Sequence, residues 1–175
     1  MTSKPELRIE LDPELSPELS EALLDLWTEV SNAGGAVGFV PPVTTEDVRQ
    51  TADIAFRRIR DGEDHLVVAF HDDAPVGFLF LEQRPGELFR HWATIKRLQV
   101  HPKLQGSGSG GVLLEETHRL ARRLGLEALH LTVRGGTGTE RFYERYGYGT
   151  VARIPGVIRV APDDTRDELY MVKNL

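Results

Sequence analysis

Residues 105–111 read Gln-Gly-Ser-Gly-Ser-Gly-Gly, four glycines with no bulky side chain, set between LQVHPKL and the helix-like run VLLEETHRLARRLG. Without a Cβ, a ligand can approach the backbone closely, and the first turn of a helix offers amides with no internal acceptor at the positive end of its dipole. Together these make a cradle for phosphate. The Ser107 and Ser109 hydroxyls add donors. Downstream, ERFYERYGY (140–148) carries Phe142 and Tyr143. A phenol with a pKa of about 10 is a weak proton donor. His91, His101 and Glu140 are the titratable groups nearby in sequence, and each has a structural reading. His101 stands beside Pro102 in a turn, His91 lies on a strand surface, and Glu140 completes a capping box with Thr137.

The elements that position these residues follow from periodicity. Leu7, Ile9 and Leu11 alternate as a short strand, and Pro13 and Pro17 then break the chain. Leu19, Leu23, Leu24, Trp27 and Val30 recur at helical spacing up to SNAGG. GFVPP forbids helix, after which Thr44 or Thr45 caps a helix from Glu46 to Arg60. HLVVAFHDD and VGFLFLEQ form a hairpin, and a further strand runs from Leu88 to Val100. The helix after the glycines ends at Gly125, ALHLTV is a buried-type strand, and TGTE opens a last helix. Strands at Tyr148 to Ile154 and Glu168 to Lys173 close the sheet, with a turn-rich loop at Ala161 to Thr165.

The composition narrows the function. With 175 residues and 40% hydrophobic content, the chain is read as one domain over 1–175 with a sizeable core. No apolar run approaches the roughly 20 residues of a membrane span, and MTSKPELRIE has no apolar signal region. There is no cysteine, so disulfides, thiolate nucleophiles and cysteine-ligated zinc are excluded, and a cytoplasmic protein without metal is expected. A net charge of −6 argues against nucleic acid and suits a small cationic or amine substrate.

Three readings of the loop compete. A bare turn needs one or two glycines, not four. Gly106, Gly108 and Gly111 satisfy the dinucleotide pattern G-x-G-x-x-G. However, HPKLQ separates strand from glycines, two helices and a hairpin come first, and Thr132, Val133 and Arg134 stand where an acidic residue is needed. A Walker A loop fails for want of Gly-Lys-Ser/Thr. The remaining pattern is Gln/Arg-x-x-Gly-x-Gly/Ala after an apolar strand end and x-Pro, matched by Gln105, Gly108 and Gly110 behind Leu98, Val100 and Pro102. With ERFYERYGY one strand later, the chain resembles the GNAT superfamily of N-acetyltransferases over nearly its whole length.

The resemblance implies an α/β (α+β) GNAT fold, in the order βααβββαβαββ. Its mixed, mostly antiparallel sheet would have about seven strands, flanked by about four helices. It implies acetyl-CoA as co-substrate, with the pyrophosphate on Gln105, Gly106, Ser107, Gly108, Ser109, Gly110 and Gly111. The pantetheine arm would lie along Leu98, Gln99 and Val100, the Val100 amide would face the acetyl carbonyl, and Tyr143 would act as general acid. SNAGGAVGFVPP (31–42), the RIPG turn at 153–156 and the closing MVK resemble the tabtoxin resistance acetyltransferase group. The chain departs from that group at Thr94, Thr132 and Val157, where relatives often carry Glu, Asp and Tyr, so no carboxylate base carries over. Phe39, Thr94 and Thr132 are the expected acceptor-site residues.

The expected partner is a small-molecule amine, amino-acid-like, antibiotic- or toxin-like or polyamine-like, with no nucleic acid or membrane, acted on by a monomer or homodimer. The alternatives are a protein or peptide N-acetyltransferase, and a non-catalytic acyl-CoA-binding sensor of the same fold.

Overall fold

Strands β2 (Asp64–His71) and β3 (Ala74–Gln83) are apolar almost without interruption because both of their faces are covered. Val67, Ala69, Leu79 and Leu81 face one core, and Leu66, Val68, Phe78 and Phe80 face the other. In this computed structural model, which describes residues 6–175, the two cores lie on opposite sides of a seven-stranded sheet ordered β1-β2-β3-β4-β5-β7-β6. The remaining strands are β1 (Arg8–Leu11), β4 (Trp92–Val100), β5 (Ala128–Arg134), β6 (Gly149–Ala161) and β7 (Asp164–Asn174). Every pairing is antiparallel except that of β4 with β5. With helices α1 (Pro17–Asn32), α2 (Thr45–Arg60), α3 (Ser109–Arg123) and α4 (Thr139–Glu144), the order is the expected βααβββαβαββ.

Local signals set the helix starts. Ser16 caps α1 by accepting from the Leu19 amide at 3.2 Å. Pro17 therefore does not break the chain but opens the helix, at the position where its missing N–H costs nothing. Thr44 and Asp47 form a reciprocal capping box on α2, whose Val48, Ala52 and Phe56 share its buried face. The capping box expected from Thr137 and Glu140 does not form. Gly138, at φ 75°, is the N-cap of α4, and the Thr137 hydroxyl donates to the Arg134 carbonyl instead.

The long hairpin departs most from the sequence reading. RIPG is not a turn: β6 runs through it with a register shift between Ile154 and Ile158, and Gly156 at φ 65° donates its amide to Asp167. The expected loop at 161–165 is a tight hairpin in which Ala161 pairs with Asp164. Residues 88–91 form a turn ahead of β4, which places His91 off the strand.

One ion pair ties α2 to the sheet. Arg58 grips Asp64 through Nε at 2.5 Å and Nη2 at 2.9 Å, and the Gln83 amide donates to the same carboxylate at 3.0 Å. The Asp64 side chain is only 4% exposed. Asp64→Ala is expected to cost about 2–4 kcal/mol, since it leaves the part-buried Gln83 amide without an acceptor and Arg58 with Glu63 alone. Thermal unfolding checks this, with a fall in melting temperature of about 5–12 °C for a chain of this size.

Candidate acyl-transfer site

The site begins where the parallel strand pair comes apart. β4 and β5 pair from Trp92, Ala93 and Thr94 to Ala128, Leu129 and His130, and no further. β4 continues to Val100 against β3, while β5 continues to Arg134 against β7. A bulge helps turn β4 away: its register with β3 shifts between Phe78 and Phe80, and Arg97 takes φ 57°, rare for a residue with a side chain. The gap holds a cavity of about 600 Å³ lined by Leu98, Gln99, Val100, Gln105, Gly106, Gly108, Gly110, Gly111 and Tyr143.

The glycine loop reaches this cavity through a single turn of 3-10 helix at Pro102–Leu104. His101 caps that turn, accepting from the Lys103 amide, and lies 3.2 Å from Glu29, so it stands outside the site. Gly108, at φ 89°, is the N-cap of α3 and has no side chain to satisfy the first turn. The Gln105 and Ser107 amides are held by carbonyls of the 3-10 turn, and the Gly111 amide by Gly108. Those of Gly106, Gly108, Ser109 and Gly110 have no backbone acceptor among the described residues. The serine hydroxyls do not join them. Ser107 Oγ bonds the Leu104 carbonyl at 2.6 Å and Ser109 Oγ at 2.7 Å, and neither residue lines the cavity. Gln105 uses its side-chain amide on the Val100 carbonyl, fixing the loop to the end of β4.

Two further features fit a long polar ligand with an apolar arm. Gln99 is only 2% exposed, and its Oε1 has no hydrogen-bond partner among the described residues. An orphan carbonyl in a cavity wall is an acceptor awaiting an N–H. Tyr143 is 7% exposed, with its ring edge-on to Phe142 and Tyr148. Burial raises its phenol pKa well above the ordinary value, so the hydroxyl keeps its proton.

A second cavity, of about 1160 Å³, opens on the side of the 33–43 connection. It meets the first along Ala36, Ile95, Arg97, Thr132, Val133 and Arg134, which line both. Phe39, Thr94 and Thr132 all line it. The connection is clamped in place. Trp27 Nε1 donates to the Val37 carbonyl at 3.0 Å, and Asn32 makes two 2.9 Å bonds to the Val43 backbone. Phe39 stands edge-on to Trp27 at 5.9 Å, so it both packs against the core and walls the cavity.

Sequence reasoning missed His130. It sits in the second cavity at the end of the β4–β5 pairing, stacked on Tyr170 at 5.5 Å. Its Nδ1 is 3.5 Å from Thr94 Oγ1. Burial and the nearby Arg84 and Lys96 outweigh Glu168 and lower its pKa, so the imidazole is neutral at pH 7. Inside the alternating strand ALHLTV it reads as one more partly buried position; only its pairing with Thr94 marks it.

Comparison with known proteins agrees with this geometry. The family model for the acetyltransferase (GNAT) domain matches residues 40–156. The uncharacterized N-acetyltransferase CgeE of Bacillus subtilis (strain 168) is 30% identical over 96 residues, or 51% of this chain and 34% of that protein. The match therefore spans about a third of the relative's length. A GNAT-family acetyltransferase from Streptococcus pneumoniae superposes with a TM-score of 0.75 at 19% identity, over 97% of this chain and 100% of that one. YncA from Salmonella typhimurium, solved with acetyl-CoA, gives a TM-score of 0.75 at 20% identity, over 97% and 94%. At these identities the two structures establish the fold.

Proposed function

This chain belongs to the GNAT acetyltransferase family, and we propose that it transfers the acetyl group of acetyl-CoA to the amine of a small molecule by direct attack. The observation that carries the reading is the meeting of two cavities across the splayed β4–β5 pair, one on the glycine loop and Tyr143, the other on Phe39 and His130. The free amides of Gly106, Gly108 and Gly110 would hold the pyrophosphate. Several charge-assisted bonds of about 1.5–3 kcal/mol each can anchor a polyanion without lysines. Leu98, Gln99 and Val100 would pair with the pantetheine amides, Gln99 Oε1 taking an N–H. Acetyl-CoA supplies an activated thioester carbonyl, which the Val100 amide would polarise.

An alkylammonium with a pKa near 10.4 loses its proton at pH 7 at a cost of about 4–5 kcal/mol, so the acceptor needs a base. With Thr94 and Thr132 in place of carboxylates, neutral His130 takes that role, its ring placed by the contact of Nδ1 with Thr94. The amine nitrogen bonds to the acetyl carbon as the carbon–sulfur bond breaks. The amine's proton passes toward His130, and the departing sulfur draws one from Tyr143.

The test is a thiol-release assay with acetyl-CoA over a panel of amines, beside thermal unfolding with acetyl-CoA and with NAD. Acetyl-CoA at a hundred times its dissociation constant should add about 2.7 kcal/mol of stability, and NAD none. Thiol release above the no-amine rate supports the transferase. Binding without turnover on any amine would replace it with the sensor reading.

A further inference from the structure

The chain as a whole carries a net charge of −6, yet the second cavity is basic. Its wall holds five cationic side chains and two carboxylates, and both carboxylates are engaged. Lys96 pairs with Glu82 at 2.8 Å, and the Tyr170 hydroxyl donates to Glu168 at 3.0 Å. Arg84, Arg97, Arg134 and Arg159 remain without an ion pair among the described residues. Arg84 lies over the Phe89 ring, and Arg134 makes one long bond, 3.4 Å, to the Phe39 carbonyl.

Arg97 is the least explained of the four. It sits on the β4 bulge at φ 57°, at the seam where the two cavities join. Its guanidinium lies against Gly38, where an added Cβ would stand 2.1 Å from Nη1, and 5.7 Å from the Trp27 ring. A half-buried guanidinium with no carboxylate in contact carries a desolvation cost that the longer-range pull of Glu82 and the Trp27 ring only partly offset. Burial lowers its pKa from the usual guanidinium value, but it stays charged at neutral pH. Room has been kept for it: Gly38 adopts φ 103°, which a side chain resists, and so leaves the space the guanidinium fills.

We infer that the acceptor amine carries a carboxylate, which Arg97 and Arg134 bind at the seam between the cavities, making the substrate a free amino acid or a compound built like one. This rests on the acyl-transfer reading above and narrows it, setting aside polyamines and other purely cationic amines. A planar guanidinium fork matches a carboxylate in two parallel bonds, which orients as well as attracts. With its carboxylate fixed there, the α-amine is held one carbon away, beside Thr132, which lines both cavities.

The experiment uses the intact protein saturated with coenzyme A for calorimetry, and with acetyl-CoA for thiol release. The probes are free amino acids, the matching α-amides in which the carboxylate is masked, and putrescine. At least one free acid should bind, and be acetylated with a kcat/KM, at least about tenfold better than its amide. Arg97→Gln and, off the bulge, Arg134→Gln should each erase that preference while the affinity for acetyl-CoA holds. A preference for amides or putrescine overturns the inference. So does a preference that survives both variants, or a loss confined to acetyl-CoA affinity. Binding that favours free acids with no thiol released would overturn the transferase reading alone. Equal binding of acids and amides overturns the carboxylate site whatever the turnover.

Discussion

Tyr143→Phe is expected to lower kcat by about one to three orders of magnitude while the Michaelis constant for acetyl-CoA stays close to its wild-type value. The ring is packed edge-on to Phe142 and Tyr148, and burial is the one cause acting on its phenol pKa. Removing the oxygen alone therefore leaves packing and melting temperature nearly unchanged, which separates a chemical role from a core role. A merely structural Tyr143 would lose little in kcat as phenylalanine. The raised pKa sharpens the mechanism. A phenol ordinarily near 10 is already a weaker acid than a thiol near 8.5, and burial weakens it further. Full transfer to a free thiolate would be uphill, so the proton must move as charge builds on sulfur, with the hydroxyl bonded to it beforehand. The same shift keeps Tyr143 protonated throughout the working range, so no alkaline loss of kcat should trace to it. Unaltered kcat in the phenylalanine variant would remove Tyr143 from the mechanism.

Much of the first cavity's lining was legible in the sequence because it is nearly contiguous. Gln105 to Gly111 and Phe142–Tyr143 lie in two short segments whose residue types have few other uses. The glycine signal overstated the serines, whose hydroxyls bond within the loop, because side-chain direction at a left-handed N-cap is not written in residue types. The basic wall of the second cavity was not legible. Arg84, Arg97, Arg134 and Arg159 come from separate strands and loops, and only the sheet brings them to one cavity on an acidic chain. Net charge pointed toward a cationic substrate, while the local field points the other way. The hairpin was misread for a related reason: Pro155 and Gly156 look like a turn, but opposite Asp167 they form a bulge inside one long strand.

His130→Phe is expected to reduce kcat/KM for the acceptor by about a hundredfold or more, the scale of a lost general base, with acetyl-CoA binding retained. Phenylalanine keeps an aromatic ring stacked on Tyr170 and removes both ring nitrogens, so a packing role would be largely preserved. The sign of the pH dependence follows from the direction of the shift. Burial, Arg84 and Lys96 hold the His130 pKa below 6.5 against the pull of Glu168, so the base-competent neutral form predominates at pH 7. In the wild type, activity should rise through an acid limb lying below 6.5 and then lose its dependence on this group. In the variant that limb should vanish. Unfolding can be told apart from it. His118, buried against Tyr148, is pushed down to about 4 by burial and by Lys173 and Arg122. The stability tied to His118 falls as pH drops from about 6.5 toward that value, because the unfolded chain takes up the proton first. Melting temperatures measured across the same range would show that loss in both proteins, whereas the catalytic limb belongs to the wild type alone. An acid limb that persists unchanged in His130→Phe would move the base to another group.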